Sequence, residues 1–97
     1  MFIQLIEFET DRIDEGRKLV DEYRATMKGK TGARRGILAK DRDQKNSYFN
    51  IVFFDDYESA MKNSELPETQ QLSEQLMKLG TGEPTFSNLD VIDDHEM

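Results

Sequence analysis

Two stretches of this chain are apolar on both alternating sets of positions: Phe2 to Glu9 (FIQLIEFE) and Ser47 to Phe54 (SYFNIVFF). Successive side chains of a strand point to opposite faces, and an antiparallel sheet in a small protein normally turns one apolar and one polar face outward. In the first stretch Phe2, Ile6 and Phe8 form one set and Ile3 and Leu5 the other; the second is aromatic and β-branched throughout. Such segments belong at the centre of a sheet, and the sheet they build has two faces that both need cover.

The rest of the chain supplies the elements around them. Asp11, Asp14 and Glu15 make an acidic helix start, and Ile13, Gly16, Val20, Tyr23 and Met27 recur at steps of three and four as one helical stripe ending before Gly29. Residues 29–32 form a loop, and Ala33 to Asp41 alternates weakly and carries Arg34, Arg35 and Lys40, the pattern of an edge strand. After the turn DRDQKNS and the strand ending at Phe54, Asp55 or Asp56 opens a short helix through Met61. It breaks between Ser64 and Pro67, where proline suits a new first turn. Leu72, Leu76 and Leu79 form the stripe of the restarted helix, Gly80 and Gly82 end it, and PTFSNLDVI returns as a last strand.

The expected fold class is therefore α+β, ferredoxin-like βαββαβ with a four-stranded antiparallel sheet, the two strand-helix-strand halves making a pseudo-repeat. A chain of 97 residues fits a single domain spanning 1–97. Such a domain buries only about 60 to 65% of its unfolded surface, so a second subunit adds useful burial.

Charge and composition exclude several classes of function. With 13 Lys and Arg against 20 Asp and Glu the formal charge is -7, which repels nucleic acid and anionic membranes. The absence of cysteine removes thiolate chemistry, disulfides and Cys-based metal sites. The amino terminus has no basic leader and turns acidic after six residues, so neither a signal peptide nor a membrane span is expected and the cytoplasm is the expected compartment.

Sorting strand residues by parity gives an apolar set of Ile3, Leu5, Gly36, Leu38, Phe49, Ile51, Phe53, Leu89 and Val91, taken as the floor beneath the helices. The opposite set holds Phe2, Ile6, Phe8, Ile37, Ala39, Tyr48, Val52, Phe54, Phe86 and Ile92 together with Gln4, Arg35, Asn50, Asn88 and Asp90. That is too much apolar surface to face water, and the polar members need water, each other or a ligand. The expectation is a homodimer through this second sheet face. Gln4, Arg35, Tyr48, Asn50 and Asn88 are the candidate ligand-binding residues, lining a partly polar cavity between the subunits.

The run FFDDYESAMKNSELPETQQLSEQL followed by EPTFSNLDVI resembles the dimeric α+β barrel superfamily, especially proteins grouped with antibiotic-biosynthesis monooxygenases. The resemblance rests on the aromatic strand end, the Glu58-Ser59-Ala60 helix start, the break from Ser64 to Thr69 and the closing strand. It implies sheets paired into a dimeric α/β barrel and an aromatic or polyketide-like substrate. It also implies oxidation by O₂ with no metal or flavin, substrate activation falling to Asn50, Gln4 and Asn88. A haem-degrading role is disfavoured because the single histidine, His95, lies in the tail.

Other constellations carry little. Gly29-Lys30-Thr31 lacks the earlier glycine of a phosphate-binding loop, Arg24 standing there instead. Asp93, Asp94, His95 and Glu96 are consecutive tail residues, which rarely fix a coordination geometry, so no metal site is expected. No Ser-His-Asp or Cys-His set can be assembled. Two readings remain: a small-molecule-binding barrel acting as a cofactor-independent monooxygenase, and a non-catalytic dimerisation or regulatory module with a packed sheet interface. A hollow of roughly 300 Å³ or more favours the first; Gln4, Asn50 and Asn88 bonded to one another favour the second.

Overall fold

A computed structural model describes residues 1–97. Its elements are β1 (Phe2–Glu9), α1 (Ile13–Thr26), β2 (Ala33–Lys40), β3 (Ser47–Phe54), α2 (Tyr57–Glu65), α3 (Pro67–Leu79) and β4 (Thr85–Asp90). The sheet is antiparallel in the order β2-β3-β1-β4, so the two segments that are apolar on both faces are central and the charged β2 is an edge. This is the ferredoxin-like βαββαβ arrangement, with the second helix broken in two.

Local chemistry accounts for the boundaries. Asp14 and Glu15 sit in the first turn of α1 and Arg24 in its last, matching the helix dipole at both ends. The Asp56 side chain caps α2 by accepting the Ser59 N–H at 2.8 Å. Leu66 is extended, as a residue before proline prefers, and Pro67 opens α3 at a position whose N–H would have had no helical partner. Gly29 at φ 82° takes the left-handed conformation that turns the chain after α1.

The buried centre lies between the sheet and α2. Phe2, Phe54 and Ala60 form it, with Ala33, Val52 and Met61 packed around them. The Phe2 ring meets Tyr57 of α2 edge-on at 5.5 Å between centroids. The α1 stripe holds: Gly16 and Met27 are buried and Ile13, Val20 and Tyr23 half-buried. Thr10, just past β1, is 3% exposed and ties the end of that strand to the end of α3. Its hydroxyl donates to the Leu79 carbonyl at 2.7 Å and accepts from the Arg12 N–H at 3.0 Å, while its own N–H reaches the Asn46 carbonyl at 3.0 Å.

The assignment of faces from parity is reversed for three strands. Phe2, Gln4, Ile6 and Phe8 pair across to Phe54, Val52, Asn50 and Tyr48, and Phe2, Gln4 and Ile6 pair across to Asp90, Asn88 and Phe86. Contacts of Phe2 with Tyr57 and Ala60 put this whole set under the helices. The set expected to form the helix-side floor, Ile3, Leu5, Phe49, Ile51, Phe53 and Leu89, instead lines the open face. On β2 a register shift between Ala33 and Arg35 leaves Gly36 and Leu38 on the helix side, as expected, and brings Arg35, Ile37 and Ala39 onto the open face beside Phe53, Ile51 and Phe49. Alternation shows which residues share a face. With both faces apolar, it cannot show which one the helices cover.

The open face has consequences for the surface as a whole. The accessible surface is 7467 Å², against about 5,700 Å² for a folded monomer of this mass. Part of the excess is the extended tail, and part is the row of half-buried side chains on the open face. No helix is long and apolar enough to cross a membrane.

Candidate ligand cleft

A cleft of about 400 Å³ opens between the β1–β4 half of the sheet and the α2–α3 corner. Its floor is Gln4 and Ile6 from β1 and Phe86 from β4, and its wall is Ser64 from α2 with Thr69, Gln70, Ser73 and Glu74 from α3. The wall residues of α3 fall at steps of three and four, so they share one side of that helix. The leucine stripe lies on the adjoining side, facing α1: a methyl group at Gly16 would stand 3.7 Å from Leu76 and 4.0 Å from Leu79. The break at Leu66–Pro67 re-aims the chain so that Ser64 and Thr69 both reach the cleft.

The floor is apolar and aromatic, and the wall is rich in hydroxyl and amide groups. Phe86 is 65% exposed, an unusual state for a phenyl ring on the helix side of a sheet. Thr69 is held from behind by a 2.7 Å hydrogen bond to the Tyr23 hydroxyl of α1, which fixes the wall against the neighbouring helix. Ser64 donates to the Ala60 carbonyl at 3.0 Å. Glu74 is the one ionisable side chain among the lining residues.

Of the five residues singled out from the sequence, the cleft takes in Gln4 directly. Asn88 stands opposite Gln4 on β4 and Asn50 opposite Ile6 on β3, so both flank the floor. Side-chain pairs elsewhere join Tyr23 to Thr69, Arg24 to Asp21, Thr31 to Asn63 and Arg34 to Asp55. Gln4, Asn50 and Asn88 take part in none of them and are not bonded to one another. No buried side-chain nitrogen or oxygen lacks a partner, so the free groups of these three are open to the cleft or to solvent. Tyr48 lies on the same face but two rows away, 8% exposed and stacked on Phe8 at 5.8 Å between centroids. Arg35 is on the opposite face, its guanidinium carbon 6.0 Å from the centre of the Phe53 ring.

The cleft thus lies within a single chain, beneath its own helices, and not between two sheets as parity suggested. The wall residues of α3 escaped the sequence reading because a polar stripe beside a leucine stripe looks like any solvated helix face. No cluster of three or more His, Cys, Asp or Glu side chains is arranged to hold a metal ion.

The electrostatic features lie outside the cleft. Arg34 embraces the Asp55 carboxylate, its Nε donating to both oxygens at 3.1 Å. This hydrogen bonding holds Asp55 below the usual carboxylate range and raises Arg34. Asp56 is also lowered, chiefly by its hydrogen bonds from Ser59.

The fold is ferredoxin-like and resembles that of proteins grouped as antibiotic biosynthesis monooxygenases. Among solved structures, the chain is similar to an antibiotic biosynthesis monooxygenase at 13% identity, covering 96% of this chain and 100% of that one with a TM-score of 0.77. It is similar to SnoaB, a cofactor-independent oxygenase from Streptomyces nogalater, at 19% identity over 96% and 94% of the two chains, TM-score 0.80. It is also similar to Rv0793 from Mycobacterium tuberculosis at 16% identity over 99% and 100%, TM-score 0.75. No family model matches the sequence, and no curated protein matches it. At these identities the likeness is one of fold.

Proposed function

We propose that this chain binds a small aromatic or polyketide-like molecule in the cleft and oxidises it with O₂ as a cofactor-independent monooxygenase. The observation that carries the reading is the cleft itself, about 400 Å³ with an exposed phenyl ring on its floor and hydrogen-bonding groups along its wall. That volume is within the range of small-molecule sites. Gln4, Asn50 and Asn88 stand on the helix side of the sheet and are not bonded to one another, which leaves their amide groups free for a ligand.

In a reaction of this kind the substrate supplies the electrons. A methylene made acidic by flanking rings and a carbonyl loses a proton, and its carbanion reduces O₂. The two recombine to a hydroperoxide, which loses water: R₂CH₂ + O₂ gives R₂C=O + H₂O. The protein's part is to accept the proton and to steady the oxyanion form of the substrate. Glu74 is the group in the cleft able to take a proton. The amide N–H groups of Gln4, Asn50 and Asn88 are donors suited to the developing oxyanion, and Phe86 and Ile6 offer an apolar bed for the ring system.

The test uses a hydroxylated anthrone as probe, with O₂ consumption and incorporation of one labelled oxygen atom as readouts, in the presence of a metal chelator. Gln4→Ala and Asn50→Ala should each lower turnover by about 10- to 100-fold, the size expected for loss of one oxyanion donor or a little less. Unchanged turnover and affinity in both variants would sink the assignment. Failure of the wild type to bind any planar aromatic would remove the ligand reading altogether.

The open sheet face is the second part of the proposal: it is covered by another copy of the chain. Its apolar rows centre on Leu5, Ile51 and Ile37, half-buried side chains on a face that no helix covers, and a contiguous apolar patch of that kind marks a protein–protein contact.

A further inference from the structure

We infer that in this dimer Arg35 of each protomer pairs with Glu7 of the partner subunit, and that these two ion pairs set which way round the sheets meet. The inference rests on the preceding reading that a second copy covers the open face.

The paired residues of that face carry three charged side chains, and they are segregated. Arg35 lies in the row of Ile3, Phe53 and Leu89 at one end of the strands. Glu7 lies in the row of Phe49 and Ala39 toward the other end, and Glu9 one row beyond, opposite Ser47. The row midway between Arg35 and Glu7 is the apolar one of Leu5, Ile51 and Ile37. All three charged residues are exposed, and the ion pairs of the chain are formed by other residues: Arg12 with Glu15, Arg24 with Asp21, Lys30 with Glu68, Arg34 with Asp55 and His95 with Asp93. Arg35 also leans inward. Its guanidinium lies over Phe53 of the neighbouring strand, so only about one strand spacing, roughly 4.8 Å, separates it laterally from the β1 column that bears Glu7.

Two identical sheets meet face to face through a two-fold axis lying in the plane between them, and the contact is self-complementary. An axis running along the strands lays each end of one sheet on the same end of the other. That would bring the Glu7 carboxylates together, since β1 is a central strand, and leave Arg35 without a counter-charge. An axis running across the strands through the middle row lays the Arg35 row over the partner's Glu7 row. Two symmetric Arg–Glu pairs then flank an apolar centre, and like charges are kept apart. Desolvated charges are strongly disfavoured unless paired, so the second arrangement is selected.

The experiment measures the dimer dissociation constant by sedimentation velocity over a concentration series, with native mass spectrometry for subunit count. The proteins are wild type, Arg35→Glu, Glu7→Arg and the double charge swap, each checked by far-UV circular dichroism. Each single reversal should weaken the dimer by about 10- to 100-fold, and the swap should recover most of that loss. Unchanged dimerisation in either single variant, or a double variant weakened by the product of the two, would overturn the pairing while leaving the covered face standing. A wild type that stays monomeric throughout the series would overturn the covered face, and the pairing with it.

Discussion

Phe53 and Phe54 are adjacent phenylalanines on a central strand, and the face assignment makes opposite statements about them. Phe54 is 1% exposed and packs with Phe2 and Ala60, whereas Phe53 is half-buried on the open face. Truncating a fully buried phenylalanine to alanine costs about 3–5 kcal/mol in lost transfer energy and residual cavity. A domain of this length holds roughly 5–15 kcal/mol in all, so Phe54→Ala should remove a large share of the stability. With about 4–8 °C per kcal/mol for a chain of this size, its melting temperature should fall by roughly 15 °C or more. Phe53→Ala leaves no cavity inside the chain's own core, so it should cost the dilute monomer much less and act chiefly on the dissociation constant of the proposed dimer. The assay is urea unfolding followed by circular dichroism at several protein concentrations, because a dimer's apparent stability depends on concentration. Equal losses in dilute protein, or a larger loss for Phe53→Ala, would refute the assignment of Phe2, Val52 and Phe54 to the helix side.

Three further outcomes are expected. Thr10→Val keeps the shape of a buried side chain but strands the Leu79 carbonyl and the Arg12 N–H. It should cost about 1–3 kcal/mol, and a neutral result in urea unfolding would mean that water replaces the hydroxyl. Gly16→Ala adds a methyl group in ordinary contact with Leu76 within a helix, so it should stabilise by about 0.5–1 kcal/mol; a loss of stability would show that α1 and α3 pack more tightly than 3.7 Å implies. Asp55 and Asp56 have lowered folded-state pKa values, from the Arg34 and the Ser59 hydrogen bonds respectively. Their stabilising contribution is present above the ordinary carboxylate range and disappears as pH falls through the depressed values. Stability measured from neutral to acid pH should fall less steeply in Asp55→Asn/Asp56→Asn than in the wild type, and an identical slope would contradict this.

Much of the architecture is legible in local chemistry. The pattern of Phe2–Glu9 and Ser47–Phe54 determines central strands, the Ile13 to Met27 stripe determines α1, and Pro67 determines the break between α2 and α3, because each is a property of a few neighbouring residues. Parity also groups Ile3 with Ile51 and Gln4 with Asn88 correctly, since side-chain alternation is a covalent feature of an extended chain. The choice of face lies beyond it. Which side of a sheet with two apolar faces receives the helices depends on the crossover paths of α1 and α2, and on the register shift near Arg35 that moves the start of β2 by one residue. For the same reason the cleft moves from between two subunits to within one. Gln4, named from the sequence, acquires as neighbours Thr69, Gln70, Ser73 and Glu74, which lie more than sixty residues away in the chain and meet it only because α3 folds back over β1 and β4. Local patterning determined the elements and which side chains travel together; only tertiary packing, through chain crossover and long-range burial, decided which of them face the core, the cleft and the open sheet.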